Sequence, residues 1–165
     1  MSVLVSCEEG LDALLAEDEV AAIVEGVLAN EGVERPVEVS VSFVGTEEMH
    51  DLNRTWRGID APTDVLSFEC DSAFGDEVPE GEVVELGDII LAPEVISAQA
   101  PGFGNTPQGE LSLMLVHGTL HLLGYDHIEE DEAAVMETRE DELLELLGTG
   151  GVAVAPTTNH AHDMG

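Results

Sequence analysis

The residues best suited to chemistry in this chain are three closely spaced histidines, His117, His121 and His127. His117 and His121 are four residues apart, so on a helix they share one face and can bind one ion. Gly124 can adopt the left-handed backbone that ends a helix, which brings His127 back toward them. Three imidazoles leave a fourth position for water, as in catalytic zinc sites. The spacing predicts a water-activating metal centre, with Zn²⁺ expected and nickel, copper or iron(II) as alternatives.

The same spacing is found in the metzincin proteases, whose motif is H-E-x-x-H-x-x-G-x-x-H. One position differs, because this chain has Gly118 where those proteases have a glutamate that acts as general base. General-base assistance contributes roughly two to four orders of magnitude in rate. The motif therefore predicts a metal-binding hydrolase, and a peptidase that takes its base from another position is the alternative.

Three sequence blocks resemble the YbeY family of bacterial endoribonucleases. They are HGTLHLLGYDH at residues 117–127, LNRTWRG with TDVLSF at residues 52–58 and 63–68, and LGDII at residues 86–90. The resemblance implies zinc-dependent cleavage of single-stranded RNA. It also implies a role in 3′-end maturation of the small-subunit (16S) ribosomal RNA and in ribosome quality control. The implied partners are rRNA and the small ribosomal subunit or one of its proteins.

Arg57 and Asp126 are the candidate catalytic residues beside the predicted metal ligands. The guanidinium of Arg57 is planar, always protonated and suited to two phosphate oxygens, and the residue matches the functional arginine of the family. Arg54, one helical turn earlier, is the weaker candidate for this role. Asp126 precedes His127 and could orient its imidazole or act as a base. The nucleophile is either a metal-bound water or the ribose 2′-hydroxyl.

Four further residues near these motifs have two interpretations each. Asp64 and Asp88 match family positions, but either could equally be a hydrogen-bonding group at a turn or strand end. Glu110 lies two helical turns before His117 on the same face; it could support the site from the core side, but solvent exposure is expected. Tyr125 could stack on a base or fill the turn that follows the histidine helix.

The charge of the chain opposes RNA binding. There are 36 acidic residues against four arginines and no lysine, which gives a net charge of −32. Phosphate neutralisation normally supplies much of the affinity for nucleic acids, and the usual basic surface is absent. Either high ionic strength screens the acidic surface, or RNA contact is confined to the metal, Arg57 and nearby main chain, with a ribosomal protein supplying the rest.

Hydrophobic patterning predicts an α+β fold, a small mixed sheet with helices packed on it. Strands are expected at residues 2–6, 37–43, 65–68 and 85–91. Helices are expected from residue 11 to 30, after an N-cap at Thr46, from 93 to 100, after a cap at Thr106, and from 129 to 147. The metal motif lies on the helix that follows Thr106.

Composition and length set the remaining expectations. Hydrophobic residues make up 44% of the 165 residues, which is enough for one domain, here residues 1–148. Residues 149–165 are expected to form a disordered tail. No segment resembles a signal peptide or membrane helix, so a cytoplasmic location is predicted. The oligomeric state is left open. A zinc-stabilised ribosome-assembly factor without catalytic activity is the third functional hypothesis.

Overall fold

The computed structural model describes residues 2–74, 78–125 and 130–146. Within these ranges the chain forms four strands and five helices. The strands are β1 (Ser2–Cys7), β2 (Val37–Phe43), β3 (Val65–Glu69) and β4 (Val84–Leu91). The helices are α1 (Glu17–Asn30), α2 (Thr46–Arg57), α3 (Pro93–Gln99), α4 (Pro107–Leu122) and α5 (Glu130–Leu146), with a 3-10 turn at Ala100–Phe103. The predicted tail, Asp126 and His127 lie outside the described residues.

The strands form one mixed sheet in the order β1-β2-β4-β3, so the α+β expectation is confirmed. β1, β2 and β4 run parallel, and β3 pairs antiparallel with β4 at the sheet edge. In β2 every second residue from Val37 to Phe43 is buried, as its alternating sequence predicts. The two faces of β3 contact different helices, since Ser67 lies against α4 and Phe68 contacts Trp56 of α2.

Helix α4 is the central helix of the fold. All residues from 110 to 122 are buried, because α1, α3, α5 and strand β3 pack around this helix. A helix that is buried on every side holds its side chains in fixed positions, which suits a binding site. No helix in the described ranges is long and apolar enough to span a membrane.

The expectation that the first helix begins near residue 11 was wrong, because α1 begins at Glu17. Leu14 has a φ of +72°, a left-handed conformation that cannot continue a right-handed helix. The side chain of Asp12 accepts a hydrogen bond from the Leu14 N–H at 2.9 Å. This local bond competes with helix formation, although leucines at helical spacing continue through the segment.

The two predicted helix caps have different outcomes. Thr106 caps α4 as expected, since its hydroxyl oxygen accepts a hydrogen bond from the Gly109 N–H at 3.0 Å. Thr46 does not cap α2, because Gly45 occupies the N-cap position. The Thr46 hydroxyl instead donates to Glu94 at 3.1 Å and so links α2 to α3.

Candidate functional site

His117 and His121 lie side by side on α4. Their rings meet edge-on, with centroids 4.7 Å apart and planes at 77°, and each residue is 4% exposed. The helix thus brings two of the three predicted metal ligands together on one face. His127 lies outside the described residues, and the described ranges contain no group of three potential metal ligands. The three-histidine site therefore stays a prediction.

A buried carboxylate from the last helix fixes the orientation of one of these rings. Glu140 on α5 lies 3.0 Å from Nδ1 of His117, and both side chains are almost fully buried. A carboxylate at Nδ1 favours the tautomer that carries its proton there, so the lone pair of the ring lies on Nε2, the nitrogen that the predicted metal would need. Sequence reasoning missed this residue. The available signal was an acidic residue on the buried face of α5, which it shares with Met136, Leu143 and Leu144.

Gly118 lies on a face of α4 where even a Cβ atom would be crowded by the sheet. A Cβ atom at this position would lie 2.9 Å from Cγ2 of Ile89 and 3.2 Å from Oγ of Ser67. Ile89 and Ser67 are paired across β4 and β3, so the helix packs closely on the sheet at this point. The position that holds the general-base glutamate in metzincins therefore faces the sheet in this protein.

Arg57 is the last residue of α2. The helix ends there because Gly58 adopts a left-handed conformation, with φ of +71°, and its N–H returns to the Arg54 carbonyl at 3.1 Å. One terminal guanidinium nitrogen of Arg57 is buried and has no hydrogen-bond partner among the described residues. A buried guanidinium nitrogen without a partner is costly, so its presence suits the binding of an external anion.

The other three arginines contact groups of the protein itself. Arg54 pairs with Asp51 at 2.9 Å, and Arg139 pairs with Glu31 at 2.7 Å. Arg35 donates to backbone carbonyls of a neighbouring loop, those of Val78, Pro79 and Glu82. Because the chain has no lysine, Arg57 is the arginine that the contacts within the described part of the chain leave for a ligand.

Asp64 and Glu110 belong to a buried hydrogen-bonding network. Asp64 accepts from the Val65 N–H and from the Gln99 side chain, each at 2.8 Å. The same Gln99 amide donates to Glu110 at 3.1 Å, and Asn105 donates to Glu110 at 2.8 Å. The expected exposure of Glu110 was wrong, since it is fully buried. The side-chain amides of Gln99 and Asn105 cover this carboxylate and donate hydrogen bonds to it. Through Gln99 the network connects β3, α3 and α4.

Tyr125 ties the turn after α4 to the rest of the fold. Burial, together with a hydrogen bond to Glu31, raises the pKa of Tyr125 to about 12, so its hydroxyl stays protonated and can donate to that carboxylate. Hydrogen bonding to Glu31 also raises the pKa of Arg139 on α5. The packing of Tyr125 against the core agrees with the turn-filling interpretation. Asp88 lies exposed on β4.

The fold places the chain in a class of small α+β proteins with a mixed sheet. The solution structure of a protein from Thermotoga maritima has a similar fold, with a TM-score of 0.61 and 29% sequence identity over 89% of each chain. The family model described as Endoribonuclease YbeY matches residues 7–148. The chain therefore belongs to the YbeY endoribonuclease family.

Relatives named Endoribonuclease YbeY are similar over most of the chain. One from a Thermoanaerobacter species is 39% identical over 158 residues, which cover 91% of this chain and 99% of that protein. One from Chloroflexus aurantiacus is 43% identical over 153 residues, or 89% and 96% of the two chains. One from an Exiguobacterium species is 44% identical over 131 residues, or 74% and 82%. The resemblance inferred from the motifs is confirmed.

Proposed function

We propose that this protein is a zinc-dependent endoribonuclease that cleaves single-stranded RNA in 3′-end maturation of small-subunit ribosomal RNA and in ribosome quality control. The observation that carries the proposal is the pair His117 and His121 on a buried helix, with a carboxylate behind one ring. Its proposed partners are rRNA and the small ribosomal subunit or one of its proteins. Membership of the YbeY family supports the RNA substrate.

The donor set fits zinc. His117 and His121 present imidazoles from successive turns of one helix, and His127 follows after the turn as the proposed third ligand. Glu140 supports the ring of His117 in the manner of carboxylates behind zinc-bound histidines. When bound, zinc supplies a Lewis acid and lowers the pKa of a coordinated water toward 7.

The residues of the chain itself have three proposed tasks in RNA cleavage. Arg57 binds the phosphate and stabilises its developing charge, because its guanidinium nitrogen has no partner among the described residues. Asp126 orients the neighbouring imidazole of His127 or accepts a proton. The burial of His117 and His121 holds their rings in fixed positions for the metal.

Cleavage of an end-labelled single-stranded RNA tests this function. We expect zinc-loaded protein to produce internal cuts, chelation to abolish them and added zinc to restore them. His121→Ala, checked for folding, should bind zinc weakly and not cut. A salt series shows whether the acidic surface limits the rate, because screening of like charges should speed cleavage. Absence of cutting with zinc bound would contradict the proposal and favour an assembly factor, whereas cleavage of peptides alone would indicate a peptidase.

Substituting Glu140→Gln should weaken zinc binding about 10- to 100-fold, the usual effect of removing a carboxylate behind a metal-bound histidine. The amide keeps the shape of the side chain but loses the charge that stabilises the proton on Nδ1 of His117. Competition with a chromophoric chelator measures the affinity, and thermal unfolding checks the fold. Glu145→Gln, an exposed position on the same helix, is the matched control. Equal zinc affinity in the two variants would show that Glu140 has no part in metal binding.

A further inference from the structure

Trp56 presents a large aromatic surface to solvent. It is 66% exposed, the highest value among the large hydrophobic side chains that the structure describes, and it is the chain's one tryptophan. Its ring meets that of Phe68 edge-on, with centroids 5.9 Å apart and planes at 70°. Phe68 in turn packs against a small buried cluster, so the tryptophan is supported by an anchored ring while most of its own surface stays open. Exposed, supported aromatic rings of this kind are typical of binding surfaces.

This aromatic pair lies next to the elements of the candidate site. Arg57 follows Trp56 in α2, and Ser67 precedes Phe68 in β3. The hydroxyl of Ser67 lies 3.2 Å from where a Cβ of Gly118 would be, which places it against α4 at the residue that follows His117. Phe68 points to the opposite face, and β3 is the edge strand of the sheet. A chain passing this edge could therefore contact both the histidine helix and the aromatic pair.

The charge of the protein favours a contact that does not depend on cations. Among the residues that the structure describes, Arg35, Arg54 and Arg139 are engaged by protein groups, which leaves Arg57 for phosphate. The net charge of −32 works against further ionic contact with RNA. Base stacking on an aromatic ring requires no charge and strengthens binding about 5- to 150-fold per base.

We propose that Trp56, supported by Phe68, is a stacking surface for one unpaired base of the RNA bound at the site. The inference rests on the proposed function and adds a binding position to it. Every base has a flat face, so the position should accept any base. A base must leave a duplex before it can stack there, so the position should favour single strands.

Binding of a labelled oligouridylate of about ten nucleotides to the zinc-free full-length protein tests the proposal without cleavage. Trp56→Ala should weaken binding about 5- to 150-fold, at low and high salt alike, whereas Trp56→Phe should retain most of the affinity. Leu4→Ala is the matched control, because Leu4 is 53% exposed on β1, the opposite edge strand. The fluorescence of Trp56 should be quenched by oligouridylate and not by an abasic strand of the same length.

The results separate this inference from the proposed function. If the protein does not cleave RNA, the nuclease proposal is refuted. Quenching of Trp56 fluorescence by oligouridylate and weaker binding by Trp56→Ala would still support the stacking surface. If the parent protein cleaves RNA but the Trp56→Ala and Leu4→Ala variants bind oligouridylate equally well, the stacking surface alone would be overturned. In that case the exposed aromatic pair would be assigned to a protein partner.

Discussion

Substituting Gly118→Glu should unfold the protein rather than convert it into a peptidase. The first added carbon would already lie 2.9 Å from Ile89 and 3.2 Å from Ser67, in the closest part of the contact between α4 and the sheet. Overpacking of this kind costs about 1–3 kcal/mol. Burying an unpaired carboxylate adds about 3–5 kcal/mol. The sum approaches the total stability of a typical domain, about 5–15 kcal/mol.

Urea unfolding followed by circular dichroism measures this effect. Gly102→Glu adds the same charge at an exposed glycine with no atom within 4 Å of its Cβ position, and its unfolding midpoint should stay close to that of the parent. Gly118→Ala should destabilise the protein by only about 0–2 kcal/mol, because a gain of about 1 kcal/mol in helix propensity partly offsets the overpacking of about 1–3 kcal/mol against Ile89 and Ser67. A folded Gly118→Glu protein with the parent's midpoint would show that the contact between α4 and the sheet is looser than described.

Substituting Arg57→Ala should lower kcat/KM for RNA cleavage about 100- to 1,000-fold, the usual effect of removing a group that stabilises charge in the transition state. The stability of the protein should change little, because the buried guanidinium nitrogen has no partner to lose among the described residues. Arg57→Lys should restore only part of the activity, since an ammonium cannot bind two phosphate oxygens as a planar guanidinium does.

Arg54→Ala is the control for this prediction. Arg54 lies one turn earlier on α2, carries the same charge and pairs with Asp51 on the protein surface. Its loss changes the net charge equally but removes only an exposed ion pair, worth about 0–1 kcal/mol. Equal activity of the two alanine variants would refute a special role for Arg57 and point to a general effect of charge.

Local sequence signals predicted the elements that carry the site. The alternation in β2, the Thr106 cap and the apolar residues of α4 each depend on neighbours a few residues away, and each is confirmed. The start of α1 was predicted wrongly, because the hydrophobic spacing continues through residues 11–16 while a hydrogen bond from Leu14 to Asp12 redirects the backbone. Helix propensity and hydrophobic periodicity do not take such a side-chain-to-backbone hydrogen bond into account.

The features that surround the histidines could not be read from the sequence in the same way. Glu140 reaches His117 from 23 residues away, and Glu110 is buried because amides of another helix and turn cover it. Both contacts depend on how the helices pack against one another, and local sequence patterns do not specify that packing. Gly118 was recognisable as the missing general base, but only the fold reveals that this position faces the sheet.

The bond between Glu140 and His117 also determines when the site is completed during synthesis. A ribosome makes α4 before α5, so the imidazoles exist before the carboxylate that orients one of them. The ring of His117 acquires its fixed tautomer only when α5 has emerged and docked on α4. A nascent chain that has not yet reached α5 therefore contains His117 and His121 without the carboxylate that orients one of their rings.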